Sequence, residues 1–166
     1  MSFRVGIGFD VHAFEEGRPL VLGGVQIPHT RGLAGHSDAD ALLHAICDAI
    51  LGALGEPDIG QHFPNTDPRW KDCPSRVFLS EAARIASKAG FVVVNVDSTL
   101  LAEEPKMAPH IPAMREAIAK ELGIEPQRVG IKATTMERLG FIGRREGIAA
   151  MAVVLLGKRD LLDSES

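Results

Sequence analysis

Asp10 and His12 stand two residues apart, at the end of a stretch from Phe3 to Phe9 that alternates large and small residues as a strand does. Side chains two apart on a strand leave the same face, so carboxylate and imidazole point together. His44 lies in a run in which Ala41, Leu42, Ala45, Ile46, Ala49 and Ile50 recur at the spacing of one buried helical stripe. Asp40 and Asp48 fall one turn to either side of His44 on another face. A helix that carries His44 to the strand makes Asp10, His12 and His44 a carboxylate and two imidazoles with a fourth position open, the pattern of a catalytic rather than a structural zinc site. The same donors suit Mn²⁺ or Fe²⁺, and spacing alone does not choose. Nor does spacing alone exclude the blander alternative, a chance Asp-x-His beside a helix-surface histidine, which is the stronger of the two on that ground.

Other residues offer weaker signals. Thr134-Thr135-Met136-Glu137 fits Ser/Thr-x-x-Glu, a capping box. Its sharper alternative sets hydroxyls and amides of a helix N-terminus against a phosphate, with Glu137 turned to a divalent cation. Lys106 sits in the turn Pro105-Lys106-Met107, either a solvated surface charge or a point charge for a phosphate. Gly140-Phe141-Ile142-Gly143-Arg144 is either plain packing or a small apolar pocket closed by a cation. His62 and His110 are expected to be loop or structural histidines.

These groups need elements to hold them. A hairpin is expected where Gly23-Gly24 joins Leu20-Val21-Leu22 to Val25-Gln26-Ile27, followed by a polar loop from Arg31 to Gly35. Ser37 and Asp38 are good N-caps, so the His44 helix can start there and end near Gly52 or Gly55. The stretch from Glu56 to Pro74 is dense in turn formers, a length of loop that is usually functional or disordered. Helical spacing over Ser75 to Ala89 and Pro112 to Leu122, and apolar runs at Phe91–Leu101, Val129–Ala133 and Ile148–Leu156, complete the chain. The expected fold is α+β, a mixed β-sheet packed against about three helices. Residues 1–158 read as a single domain and 159–166 as a polar C-terminal tail that frays.

The chain has 166 residues, 45% hydrophobic and 24% charged, an ordinary globular composition. A net charge of −4, with one Trp and no Tyr, gives neither a general attraction to nucleic acid nor stacking surfaces for bases. An anionic substrate must therefore be held by local devices: a metal, a lysine or backbone amides. Cys47 and Cys73 lack CxxC spacing and suit a reducing compartment. No opening leader pattern and no membrane-length apolar run is seen, so the expectation is cytoplasmic.

Taken together the residues resemble the 2-C-methyl-D-erythritol 2,4-cyclodiphosphate synthase family of the non-mevalonate isoprenoid route. The matching runs include Gly8-Phe9-Asp10-Val11-His12, Leu22-Gly23-Gly24-Val25, His36-Ser37-Asp38-Ala39-Asp40, Asp58-Ile59-Gly60, Phe63-Pro64-Asn65-Thr66-Asp67-Pro68, Asn95-Val96-Asp97, Pro105-Lys106-Met107, Lys132-Ala133-Thr134-Thr135 and Leu139-Gly140-Phe141. They are collinear from about Phe3 to Lys158, and they reverse the balance for the metal set.

The resemblance implies a homotrimer with active sites between adjacent subunits, the sheet of each facing the threefold axis. It implies Asp10, His12 and His44 as ligands of one Zn²⁺ per site, and Glu137 as ligand of a second divalent cation, Mg²⁺ or Mn²⁺. It implies that Asp10, Val11, His12, His36, Ser37 and the stretches Asp58, Ile59, Gly60 and Phe63, Pro64, Asn65, Thr66, Asp67 meet the methylerythritol phosphate end of the substrate. Ala102, Lys106, Met107 and Ala108, with Thr134, Thr135, Met136 and Glu137, are implied to hold the cytidine diphosphate from the neighbouring subunit. His36 and Thr135 match catalytic positions, and His36-Ser37 a lid-like loop. The implied reaction is an intramolecular phosphoryl transfer that releases CMP. Asn65 departs from an Asp common in the family, and Glu103 and Glu104 beside the nucleotide turn are expected to point outward. Phe9, Gly140, Phe141 and Arg144 match the lining of a central cavity that holds an isoprenoid diphosphate in some members. Two other classes fit the residues less completely: a metal-dependent phosphohydrolase, and a non-catalytic trimer that binds isoprenoid diphosphates through Phe141 and Arg144.

Overall fold

The computed structural model describes residues 2–159, so the tail expected at 160–166 lies outside the described residues. Strands β1 (Phe3–Glu16), β2 (Leu20–Leu22), β3 (Val25–Ile27) and β4 (Arg31–Leu33) open the chain. Helices α1 (Ala41–Leu54), α2 (Ile59–His62) and α3 (Arg76–Lys88) follow, then β5 (Phe91–Leu101), α4 (Ile111–Leu122), β6 (Val129–Thr134), the single turn α5 (Gly140–Gly143) and β7 (Gly147–Lys158). The main sheet runs β4-β1-β7-β5-β6, antiparallel except for the parallel pair β5 and β6, and β2 and β3 form the separate hairpin. The expected α+β architecture is present, with three long helices on one face of the mixed sheet.

The alternation of β1 decides how that face is built. Gly6, Gly8, Asp10 and His12 face the helices, while Val5, Ile7, Phe9 and Val11 face the other way and stay exposed. At Gly6 and Gly8 a Cβ would sit 1.8 Å from the carbonyl oxygens of Ala49 and Ala45. The missing side chains thus allow α1 to lie directly on the strand, and that contact sets the depth at which His44 arrives. With Ala45, Ile46, Ala49 and Ile50 on β1 and β7, and Leu42 and Leu79 buried between the helices, α1 is covered on nearly all sides.

Three expectations are corrected. Helix α1 starts at Ala41 with Asp40 as its N-cap, not at Ser37 or Asp38, because the Asp40 carboxylate accepts from the Leu43 amide at 3.1 Å. Residues 31–33 are a strand, paired with Phe14 to Glu16, rather than loop. No helix begins at Thr134–Glu137: β6 runs to Thr134, and Glu137 and Arg138 take left-handed backbone angles, φ 51° and 65°, which a helix start forbids. Among the described residues no helix is long and apolar enough to cross a membrane.

Candidate metal centre and the clefts around it

Asp10 and His12 leave the same face of β1, and α1 delivers His44 onto them. Asp10 Oδ2 lies 2.8 Å from His12 Nε2 and 3.0 Å from His44 Nδ1, and the two ring nitrogens are 3.2 Å apart. A tetrahedral shell at zinc–ligand distances of ~2.0–2.1 Å places ligand atoms ~3.3 Å from one another. The three atoms are therefore gathered at slightly less than coordination spacing, and a small outward relaxation admits an ion. Each imidazole is also held from behind: Ala34 O is 2.8 Å from His12 Nδ1, and Ser75 Oγ is 2.8 Å from His44 Nε2. Outer hydrogen bonds of this kind fix which nitrogen faces a metal. Donor types, convergence and backing all fit a divalent ion such as Zn²⁺.

Charge follows the same geometry. Burial alone raises the Asp10 carboxyl, but hydrogen bonds and charge from His12 and His44 outweigh it and hold the group at about 2. His12 moves the other way: burial lowers it, yet the Asp10 hydrogen bond and charge carry it above the ordinary imidazole value. Asp10 therefore stays an anion at neutral pH, ready to ligate.

A cavity of about 260 Å³ opens beside the centre, lined by His12, His36, Ser37, His44, Ile59, Gly60, Phe63, Asn65, Trp70 and Phe78. The turn-rich stretch from Glu56 to Pro74 is folded rather than loose, because Asp48 Oδ1 accepts from the Ile59 amide at 2.8 Å and Asp58 caps α2. That settles Asp48 as the brace of this segment. Phe63 packs edge-on to Trp70, centroids 5.2 Å apart, and lies 4.5 Å from Phe78. His36 Nε2 meets Asp67 O at 3.0 Å, and Asp72 N donates to His36 O at 2.8 Å. The lid-like His36-Ser37 segment is thus tied to its neighbour, and Arg18 NH1 holds it from the other side through Gly35 O at 2.6 Å. Asp67 is lowered by its hydrogen bond to Arg69. Val11, by contrast, directs its side chain to the opposite sheet face.

The second group of predicted residues lies elsewhere, beyond the ends of β5 and β6. Val11 pairs with Ala149, Ala149 with Leu101, and Leu101 with Thr134, so two strand spacings, ~10 Å, separate the Asp10-Val11-His12 segment from the end of β5 and three, ~14 Å, from the end of β6. Ala102 N donates to Thr134 O at 3.0 Å, which joins the start of the 102–108 stretch to the start of the 134–137 stretch. Glu103 is turned inward, against expectation: its Oε1 accepts from the Met136 and Arg138 amides at 2.9 and 3.2 Å and holds the left-handed turn that carries Glu137. Glu104 likewise turns toward the protein, 3.2 Å from Arg31 and 3.7 Å from Arg145. Among the described residues one metal-capable cluster is found, Asp10 with His12 and His44, and Glu137 stands apart from it.

Asp40, one turn before His44 in the sequence, is spent elsewhere in the structure. Fully buried, it accepts from Gly23 N at 2.9 Å, Gly24 N at 2.7 Å and Leu43 N, stapling the hairpin turn to α1. Burial and the Asp38 charge raise its carboxyl to about 6 against those three donors. Ser75, Phe78, Trp70 and Glu103 were missed. Ser75 stands in the sequence only as the start of an expected helix, and no spacing marks Trp70 or Phe78.

An α+β sandwich with a carboxylate-imidazole metal centre at the join of its first strand and first helix is the class of protein that fold and site define. The chain belongs to the YgbB family, whose model matches residues 3–157. It is 57% identical over 165 residues, 99% of this chain and 98% of the relative, to the 2-C-methyl-D-erythritol 2,4-cyclodiphosphate synthase of Ralstonia pickettii (strain 12J). It is 61% identical over 153 residues, 92% and 98% of the two chains, to the synthase of the same name from Syntrophomonas wolfei. Among solved structures it resembles the bifunctional IspDF of Campylobacter jejuni (TM-score 0.91, 45% identity, 95% of this chain), of which it spans 42%. It also resembles a 2C-methyl-D-erythritol-2,4-cyclodiphosphate synthase solved in a form bound to CDP (TM-score 0.86, 41% identity, 93% of this chain and 100% of that one).

Proposed function

We propose that the protein converts 4-diphosphocytidyl-2-C-methyl-D-erythritol 2-phosphate to 2-C-methyl-D-erythritol 2,4-cyclodiphosphate and CMP, in the non-mevalonate route to isoprenoid precursors. The convergence of Asp10, His12 and His44 beside the cavity carries this proposal, in a chain 57% identical to a synthase of that name. An oxygen of the substrate's 2-phosphate bonds to the β-phosphorus, the bond from that phosphorus to the CMP oxygen breaks, and CMP leaves. The reaction is a phosphorus-oxygen lyase step that needs no side-chain nucleophile. Folding the substrate so that its own phosphate meets the β-phosphorus is worth up to ~7–11 kcal/mol of barrier. Zn²⁺ at Asp10, His12 and His44, and Mg²⁺ or Mn²⁺ at Glu137, would supply charge neutralisation to the diphosphate. Asp58 to Gly60 and Phe63 to Asp67 enclose the methylerythritol phosphate, with Asn65 contributing hydrogen bonds without charge. His36 and Thr135 stabilise the transition state. Lys106 and the amides of the turn carrying Glu137 take the nucleotide.

The end of β6, which leads to Glu137, lies ~14 Å across the sheet from the Asp10 segment on one chain, a separation that supports an active site completed by a second copy. Val5, Ile7 and Phe9 are 68%, 65% and 54% exposed on the open face of β1, with Met151 and Val153 beside them on β7. An apolar sheet face of this kind supports a homotrimer closed around it, which sets the Glu137 cleft of one subunit against the Asp10 centre of the next. Phe9, Gly140, Phe141 and Arg144 then border a central cavity able to take an isoprenoid diphosphate. Free Cys47 and Cys73 support a reducing, cytoplasmic setting.

Turnover of the cytidyl substrate, followed by CMP release and phosphorus NMR, tests the proposal. The expected result is a cyclic diphosphate with CMP, lost with a chelator and restored by Zn²⁺ together with Mg²⁺ or Mn²⁺. A linear bisphosphate in place of the cyclic product identifies a phosphohydrolase and overturns it.

A further inference from the structure

Ser75 precedes α3 at the N-cap position, yet its hydroxyl makes no capping bond. It is fully buried and spent elsewhere: Oγ lies 2.8 Å from His44 Nε2 and donates to Asp38 Oδ1. Asp38 Oδ2 in turn accepts from the Ser75 amide at 3.0 Å, so one carboxylate grips both ends of the serine. A hydroxyl has one proton to give. Given to Asp38, it leaves Ser75 Oγ only as an acceptor toward His44, and the proton between them must then sit on His44 Nε2. The lone pair of His44 is thereby placed on Nδ1, the atom 3.0 Å from Asp10 and 3.2 Å from His12. Ser37 Oγ also approaches Nε2, but at 3.3 Å against 2.8 Å for Ser75, so the shorter Ser75 contact governs the tautomer.

We propose that Asp38 and Ser75 are positioning residues that act through His44, a buried carboxylate-hydroxyl-imidazole relay that fixes the histidine tautomer and presents Nδ1 to the metal. This rests on the metal centre of the proposed function and adds two residues from different elements to it. Asp38 belongs to the His36–Asp40 connection and Ser75 to the start of α3, so the relay also ties the cavity wall to the ion. It is the outer shell that Asp40, one turn before His44, does not provide.

The test uses the full chain stripped of metal and titrated with Zn²⁺ alone against a chromophoric chelator, without substrate. Ser75→Ala removes the acceptor at Nε2 without removing a cap, and should weaken zinc binding ~10–100-fold while the metal-free protein still unfolds cooperatively, with a midpoint lowered only by the loss of the bond to Asp38. Asp38→Asn keeps an acceptor for Ser75 and should weaken it less. Imidazole ¹⁵N NMR of the zinc-loaded wild type should show a slowly exchanging proton on His44 Nε2, lost in Ser75→Ala. Wild-type zinc affinity in Ser75→Ala, or a proton on His44 Nδ1 in the loaded wild type, overturns the relay and leaves the proposed function standing. A wild type that binds no zinc overturns both. Should Ser75→Ala fail to fold, the wild-type spectrum alone decides.

Discussion

Gly8→Ala is the substitution through which packing and chemistry are most directly coupled. Its new methyl would stand 1.8 Å from Ala45 O, about 1.6 Å short of the 3.4 Å at which ordinary contact begins, and 2.9 Å from Ala49 N. The obstacle is helix backbone, which cannot rotate aside, and α1 is also packed against α3. Overpacking of this kind costs ~1–3 kcal/mol. For a chain of this length each kcal/mol is worth ~2–4 °C, so the unfolding midpoint of the metal-free protein should fall by roughly 2–12 °C. If α1 instead yields by the missing distance, Ala45 carries its neighbour His44 with it. Metal ligands tolerate displacements of only ~0.2 Å, so the 3.0 Å approach of His44 to Asp10 is lost and zinc binding should fall by more than ~100-fold. Gly52→Ala is the control: its Cβ meets only Ile7 O, at 3.8 Å, and a helix-interior alanine should stabilise by ~0.5–1 kcal/mol. Differential scanning fluorimetry and chelator competition read both effects. A Gly8→Ala protein with wild-type midpoint and zinc affinity would refute the account of α1 seated on a glycine strand.

Asp40→Asn should cost ~1–3 kcal/mol while zinc binding persists, because its amide nitrogen must face an N–H donor of Gly23, Gly24 or Leu43; loss of zinc instead would return Asp40 to the metal site. In the metal-free protein, Asp10 titrates at about 2 when folded, against 3.8 in the reference state, so its contribution is present above pH 3.8 and lost as pH falls toward 2. Urea unfolding at pH 5 and pH 3 should therefore show ~1 kcal/mol more loss in wild type than in Asp10→Asn, and equal losses would contradict the charge assignment. Ile7→Glu puts a charge into the open apolar face and should convert the proposed trimer to monomers in sedimentation velocity; an unchanged trimer would place the interface elsewhere.

The sequence by itself determined much of the frame. Alternation in β1, the Gly23-Gly24 turn, the stripe of α1 and the apolar runs of β5 and β7 are periodic signals, and each became the element expected, because local burial patterns dictate secondary structure one segment at a time. Asp10 and His12 were legible for the same reason, since a period of two fixes their common face. What no local pattern contains is the partner across the fold. Asp40 looked like a neighbour of His44 and serves the hairpin; Ser75 looked like the first residue of a helix and serves His44; Glu103 and Glu104 looked solvated and are bound. Each of these side chains is spent on a group 16 to 73 residues away, and only the tertiary packing, such as that of α1 onto Gly6 and Gly8 with α3 beside it, decided which group that would be. Tertiary structure also separated the Asp10 centre from the Glu137 cleft, because strand order is set by which apolar faces pair across the whole sheet and not by the spacing of residues along the chain.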